Sequence, residues 1–188
     1  MESNKIFYNN TDEIRLSSQI QPDSVVDGPG LRTVIWTQGC IHNCEQCHNP
    51  ETHSFTGGLL VHVNSVIYNI LKVRQNVTFS GGDPFLQPKQ CSIIASYAKY
   101  HGLNVWAYTG FTYEQLIAFN NPDINKFLDN IDVLVDGKFD ISLKSLDCKY
   151  RGSTNQRLID MKKTRKNGVV VLWEDPFDKI TKTSNPYM

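Results

Sequence analysis

Apolar and polar residues along this chain switch repeatedly between two periods, and each switch predicts a change from strand to helix or back. Thr33-Val34-Ile35-Trp36-Thr37 is β-branched and aromatic, and reads as a buried strand. After the turn signal Gly57-Gly58, residues Val63, Val66, Ile67, Ile70 and Leu71 recur at helical spacing. Asn76-Val77-Thr78-Phe79-Ser80 is a second strand, running straight into Gly81-Gly82-Asp83-Pro84. Pro88 can open a second helix at its first position, with Cys91, Ile94, Ala95 and Ala98 on one face and Gly102 as the stop. Leu103 to Tyr108 reads as a third strand that ends in Thr109-Gly110. Thr112 and Gln115 have capping-box spacing, so a third helix starts there and carries Leu116, Ile117 and Phe119. A short helical segment around Ile124, Phe127 and Leu128 precedes a fourth strand, Ile131 to Val135, closed by Asp136-Gly137-Lys138.

The pattern weakens toward both ends. Residues 1–30 are mixed and polar, and finish in the dense turn signal Asp27-Gly28-Pro29-Gly30. Residues 151–157 are polar and loop-like, after which Leu158 to Lys166 reads as a helix and Gly168 to Trp173 as a last strand. From Glu174 the tail is polar.

Strand–helix alternation implies right-handed crossovers and a mainly parallel sheet. A complete eight-stranded barrel takes about 250 residues. The chain has 188, so the expected α/β fold is a partial, open (β/α) barrel in a single domain over 1–188, with its core at about 24–173. Four unusual loops each follow a predicted strand: the stretch after Thr37, Ser80-Gly81-Gly82-Asp83, Tyr108-Thr109-Gly110 and Asp136-Gly137-Lys138. In parallel α/β folds those strand ends share one rim, where sites are assembled.

The first of these loops carries the chemistry. Three of the five cysteines, Cys40, Cys44 and Cys47, fall within Gly39 to Pro50, separated by three and then two residues. Thiolates at that spacing can converge on a soft metal centre. On a four-iron cluster, three ligands leave one iron open to a substrate or cofactor. A structural zinc site, completed by His42 or His48, is the alternative from a different class. Cys91 lies on an apolar helical stripe and is expected to be a core thiol. An odd cysteine count speaks against a disulfide framework.

Gly81-Gly82 leaves a strand end without side chains, so a ligand can reach its backbone, and Asp83 adds a carboxylate suited to an amine. Lys138 could offer a cation to a carboxylate. An amino-acid moiety carries both groups.

Charge narrows the partners further. Lys plus Arg and Asp plus Glu number 19 each, which removes the footprint of a general nucleic-acid binder. The longest apolar runs are strand-sized and the first residues lack a signal core, so no membrane segment and a cytoplasmic location are expected.

The cysteine loop, Ser80-Gly81-Gly82-Asp83-Pro84 and the strand order together resemble the radical S-adenosylmethionine superfamily. Asp27-Gly28-Pro29-Gly30-Leu31-Arg32, Cys44 to Thr52, Val135 to Phe139 and Arg151 to Arg157 are similar to the activating proteins of anaerobic, class III, ribonucleoside-triphosphate reductases. The resemblance spans about residues 24 to 160. It implies a [4Fe–4S] cluster on Cys40, Cys44 and Cys47, with S-adenosylmethionine bound along Gln46, Cys47, His48, Gly81, Gly82, Asp83 and Lys138. Gln46 stands where many relatives have an aromatic residue, and Asp83 where many have Glu. The implied activity is reductive cleavage to methionine and a 5′-deoxyadenosyl radical, which abstracts hydrogen from a glycine of the partner reductase. Such a cluster works at the low end of the iron–sulfur range, toward about −700 mV. An electron donor such as flavodoxin or ferredoxin is implied too. Another glycyl radical enzyme as target, or a small-molecule radical reaction, is the alternative within the same chemistry.

Overall fold

Eight strands form one sheet in the computed structural model, which describes residues 12–176. In chain order they are β1 (Glu13–Leu16), β2 (Gln21–Ser24), β3 (Arg32–Thr37), β4 (Leu59–His62), β5 (Asn76–Gly81), β6 (Val105–Tyr108), β7 (Val133–Asp136) and β8 (Arg157–Asp160). The helices are α1 (Val63–Val73), α2 (Pro88–Tyr100), α3 (Tyr113–Ala118), α4 (Pro122–Asp129) and α5 (Met161–Asn167). Strand order is β4-β1-β3-β5-β6-β7-β8, with β2 paired to β3 off that path. The sheet does not close on itself, as a partial barrel requires.

Parallel pairing is confined to the centre, β3 to β5 to β6 to β7. Both flanks are antiparallel: β1, β2 and β4 on one side and β8 on the other. The central strands bury both faces, as parallel strands do. On one face Ile35, Val77, Phe79, Val105, Ala107 and Leu134 pack under the apolar stripes of α1, α2 and α4. On the other, Trp106, Val133, Val135 and Leu158 form a smaller cluster with Tyr108, Tyr150 and Trp173. Period-two alternation along β6 and β7 produces this split.

Local signals explain most of the helix ends. Pro88 occupies the start of α2, and Cys91, Ile94, Ala95 and Ala98 all face the core. At α3 the capping box forms as its spacing predicts: Gln115 N–H donates to Thr112 Oγ1, and Thr112 N–H to Gln115 Oε1. Of that helix only Leu116 is buried; Ile117 and Phe119 remain about half exposed.

Three expectations are corrected. Leu158 to Lys166 is not one helix, because Leu158 and Ile159 belong to β8 and the helix begins only at Met161. Asp160 divides them, its carboxylate accepting from Lys163 N–H as the helix cap. Gly168 to Trp173 is not a strand but touches the sheet by one isolated bridge, Leu172 to Ile159. The mixed, polar N-terminal stretch, for which no strand was expected, supplies β1 and β2, so the sheet begins at Glu13, ahead of the expected core boundary at about 24. The polar tail beyond Asp175 and Pro176 lies outside the described residues.

Candidate functional site

The C-terminal ends of β3, β5, β6 and β7 meet at one rim, and a cavity of about 130 Å³ sits between them. All four expected loops line it: Cys40, Cys44 and Cys47 after β3, Gly81 and Gly82 at β5, Thr109 and Gly110 after β6, and Gly137 and Phe139 after β7. Beside it lies a larger cavity of about 630 Å³, walled by Val25, Trp36, Cys148, Tyr150 and Gly152 among others. His48, Asn49, Ser80, Tyr108, Phe139 and Gln156 border both, so the two spaces are neighbours sharing one wall.

The cysteine loop turns tightly enough to bring its thiols to one space. Asn43 and Gln46 take left-handed backbone conformations, at φ 45° and 52°. Cys47 N–H closes onto the Cys44 carbonyl at 3.2 Å. All three thiols are half-buried. Asn49 N–H donates to Cys47 Sγ at 3.4 Å. Donors aimed at sulfur favour the thiolate and are among the features that tune iron–sulfur centres. Burial pushes the Cys40 thiol up, with the His42 N–H opposing it. Burial likewise raises Cys44, opposed first by the charge of Lys138. A bound metal would supply the missing positive charge.

Among the described residues, no three or more His, Cys, Asp or Glu side chains are gathered for a single ion. A tetrahedral zinc site needs four donors within about 2.0–2.3 Å of one point. Cys40, Cys44 and Cys47, three half-buried thiols on one cavity, are the donor set that a cluster with one open iron would take.

The glycines at β5 serve close packing. A Cβ on Gly81 would lie 2.5 Å from the Thr37 carbonyl oxygen, and one on Gly82 would lie 2.2 Å from that of Gly39. Gly82 N–H donates to Thr37 O at 2.8 Å and Asp83 N–H to Gly39 O at 2.9 Å, which binds the start of the cysteine loop to the end of β5.

Asp83 stands differently from the expectation for it. Its side chain is fully buried and turned inward, and it does not line the cavity. Oδ2 accepts from Thr109 Oγ1 at 2.9 Å and Gly110 N–H at 3.0 Å, and lies 2.6 Å from His42 Nε2; Oδ1 accepts from Phe85 N–H at 2.9 Å. A carboxylate so engaged has no oxygen presented to a ligand amine. Gln46 is exposed and outside the cavity wall. His48 borders both cavities with its ring 4.8 Å from that of Phe139. Lys138 is exposed and touches the site through its charge on Cys44. Cys91 lies wholly in the core, where burial raises its thiol well above the ordinary value. Cys148 borders the larger cavity.

Two contacts carried no signal in the residue pattern: that of His42 with Asp83 and that of Gln156 with Gly137. Gln156 Oε1 accepts from Gly152 N–H at 2.9 Å while Nε2 donates to Gly137 O at 3.0 Å, which ties the 151–157 loop to the rim. The Arg-Gly-Ser-Thr-Asn-Gln-Arg run marked the loop; the partner 19 residues away was not legible from it.

Comparison with known proteins agrees with this geometry. The family of the 4Fe-4S single cluster domain matches residues 26–159, a span that covers the cysteine loop and every strand of the rim. The anaerobic ribonucleoside-triphosphate reductase-activating protein of Salmonella typhimurium is 32% identical over 152 residues, covering 73% of this chain and 94% of that one. The chain belongs to this family of activating proteins. Its members from Escherichia coli K12 and from Enterobacteria phage T4 are each 33% identical over 149 residues, covering 73% and 74% of this chain and 94% and 90% of theirs. Among solved structures, QueE from Escherichia coli overlaps 53% of this chain and 54% of its own, at TM-score 0.41 and 15% identity, too slight a likeness to argue from. Among the described residues, no helix is long and apolar enough to cross a membrane.

Proposed function

We propose that this chain is the activating enzyme of an anaerobic ribonucleoside-triphosphate reductase, installing a glycyl radical on that protein by means of a [4Fe–4S] cluster and S-adenosylmethionine. The observation that carries this reading is the three thiols of one loop bordering a single cavity at the shared end of four parallel strands. Cys40, Cys44 and Cys47 would hold the cluster and leave one iron open. When bound, that pair of groups supplies one-electron cleavage of a sulfonium and so a 5′-deoxyadenosyl radical.

The chain's own residues bind and orient. Gly81 and Gly82 present backbone at the cavity wall, Cys47 and His48 form the facing side, and Gln46 shapes the turn between ligands. Asp83 holds this wall from behind, and Lys138 places a cation near Cys44. Phe139 and Tyr108 border both cavities and put aromatic surface beside the place where a radical would form. The larger cavity, at about 630 Å³, is of a size to receive a loop of another protein carrying its target glycine. A small low-potential protein such as flavodoxin or ferredoxin would deliver the electron.

The test is anaerobic. Protein loaded with iron and sulfide and chemically reduced is expected to form 5′-deoxyadenosine, and with the reductase a glycyl electron-paramagnetic-resonance signal; Cys44→Ala forms neither. Stoichiometric zinc without iron or sulfide, or a full cluster that never cleaves S-adenosylmethionine even with the reductase present, would sink the reading. A glycyl signal on a different partner only would move the target.

A further inference from the structure

His42 lies inside the cysteine loop, between Cys40 and Cys44, yet its side chain leaves that loop and closes on two others. Nε2 is 2.6 Å from Asp83 Oδ2, with only 11% of the imidazole side chain and none of the carboxylate exposed. Asp83 already accepts from Thr109 Oγ1, Gly110 N–H and Phe85 N–H, so it meets His42 as a further acceptor and Nε2 carries the donated hydrogen. The ring lies over Gly110, where a Cβ would come within 2.4 Å of imidazole Cδ2, and stands edge-on to Phe111 at 4.5 Å. One imidazole thus joins the loops after β3, β5 and β6.

We propose that His42 is a positioning residue that clasps the cysteine loop to Asp83, holding Cys40 and Cys44 on the rim before any iron arrives. The inference rests on the reading of that loop as the seat of the cluster. Its physical basis is preorganisation: a loop of polar residues has many conformations, and a charge-assisted hydrogen bond in a water-poor pocket is among the stronger means of selecting one. Asp83 then acts on the site through His42, Thr109 and Gly110. That accounts for a fully buried carboxylate beside a cavity it does not face.

Backbone amide hydrogen exchange across residues 39–50, on the full anaerobic chain before and after loading with iron and sulfide, tests the clasp. Without iron, His42→Ala is expected to exchange about tenfold faster or more in this loop, with α2 unchanged as an internal control. His42→Gln, whose amide nitrogen is as many bonds from Cα as Nε2, should restore most of the protection. Gly110→Ala should loosen the same loop with Asp83 and His42 both present, and decides the matter if His42→Ala does not fold. After loading, the reduced cluster in His42→Ala should give a broadened, heterogeneous spectrum where the unmodified chain gives one species. Loop exchange at the unmodified rate in His42→Ala or Gly110→Ala would overturn the proposal. So would His42→Gln as loose as His42→Ala, since ring packing and not the bond to Asp83 would then be the cause. None of the exchange measurements involves S-adenosylmethionine, so a chain that binds iron but never cleaves it would sink the proposed activity and leave the clasp standing.

Discussion

At the N-terminal ends of β3, β5 and β6 the sheet is sealed around Arg32, whereas at the C-terminal ends of the same strands it opens onto thiols and cavities. Arg32 is fully buried: Nε donates to Thr78 Oγ1 at 2.6 Å, Nη2 to Val77 O at 2.7 Å and Nη1 to Asn104 Oδ1 at 3.1 Å. Its guanidinium lies over the Trp106 ring at 5.2 Å, and Gly28, at φ +127°, packs so closely that a Cβ would come within 2.8 Å of Arg32 Cδ. The Asp27-Gly28-Pro29-Gly30-Leu31-Arg32 run is therefore the floor of the half-barrel. At the rim one of the buried charges is Asp83, and its bonds tie loops together where those of Arg32 tie strands. A buried charge survives only when its hydrogen bonds are met. The floor meets them to close the fold, and the rim meets them to shape a space.

Arg32→Met gives the largest expected effect on stability. It keeps much of the side-chain volume but strands the acceptors of Thr78, Val77 and Asn104, at about 3 kcal/mol or more in total. Urea unfolding of the iron-free chain measures it, and iron bound per folded chain should stay as before. A loss below about 1 kcal/mol, the worth of a single ordinary hydrogen bond, would break the contrast, because the floor would then be no more sealed than the surface.

Gly82→Ala should be smaller in free energy but larger in chemistry. Its Cβ would meet the backbone carbonyls of Gly39 and Thr52, at 2.2 and 3.0 Å, and neither can rotate away as a side chain would. Overpacking of that kind costs about 1–3 kcal/mol, and relief by movement of Gly39 displaces Cys40. Iron content after reconstitution should therefore fall. Gly30→Ala at the floor is the control: at φ +74° it is strained, but no atom lies within 4 Å of the new Cβ, so iron content is expected to hold. Equal loss in both would show that general instability, and not the rim, governs loading.

What could be seen in the residues alone follows the range of the interactions. The capping box of α3, the Pro88 start of α2 and the stripe of α1 are local, and each formed where its spacing placed it. The rim was legible because four loops each followed a strand of recognisable composition. Gln21-Pro22-Asp23-Ser24 carries no strand signal, and it pairs as an edge only because β3 offers a partner. Leu158 and Ile159 are two apolar residues in a polar run, too few to separate a strand from a helix start until β7 lies beside them. His42 was legible only as a possible zinc ligand because its partner Asp83 is 41 residues away, and Asp83 looked like a ligand group because burial has no local signature.

A second strand-end carboxylate makes the smallest test. Asp136, at the end of β7, accepts from Tyr113 N–H and binds Arg157, whose guanidinium also pairs with the exposed Glu114 at 2.7 Å. Hydrogen bonds from Arg157 hold the Glu114 carboxyl down at about 2, against an ordinary 4.5. A carboxyl depressed in the fold stabilises it fully above the unfolded value and ceases to do so as pH falls through the folded one. Glu114→Gln should therefore be less stable than the unmodified chain at pH 7, and the difference should shrink as pH falls from 4.5 toward 2. Because the pair is largely exposed and screened, the difference at pH 7 is expected to be about 1 kcal/mol or less. Arg32 sharpens the point: burial lowers it only to about 10, so it stays charged throughout, and the Arg32→Met difference should not move over the same acid range. A Glu114→Gln difference that is flat with pH would mean that the ion pair of Glu114 with Arg157 adds nothing to stability, in contrast to the buried charge at the floor.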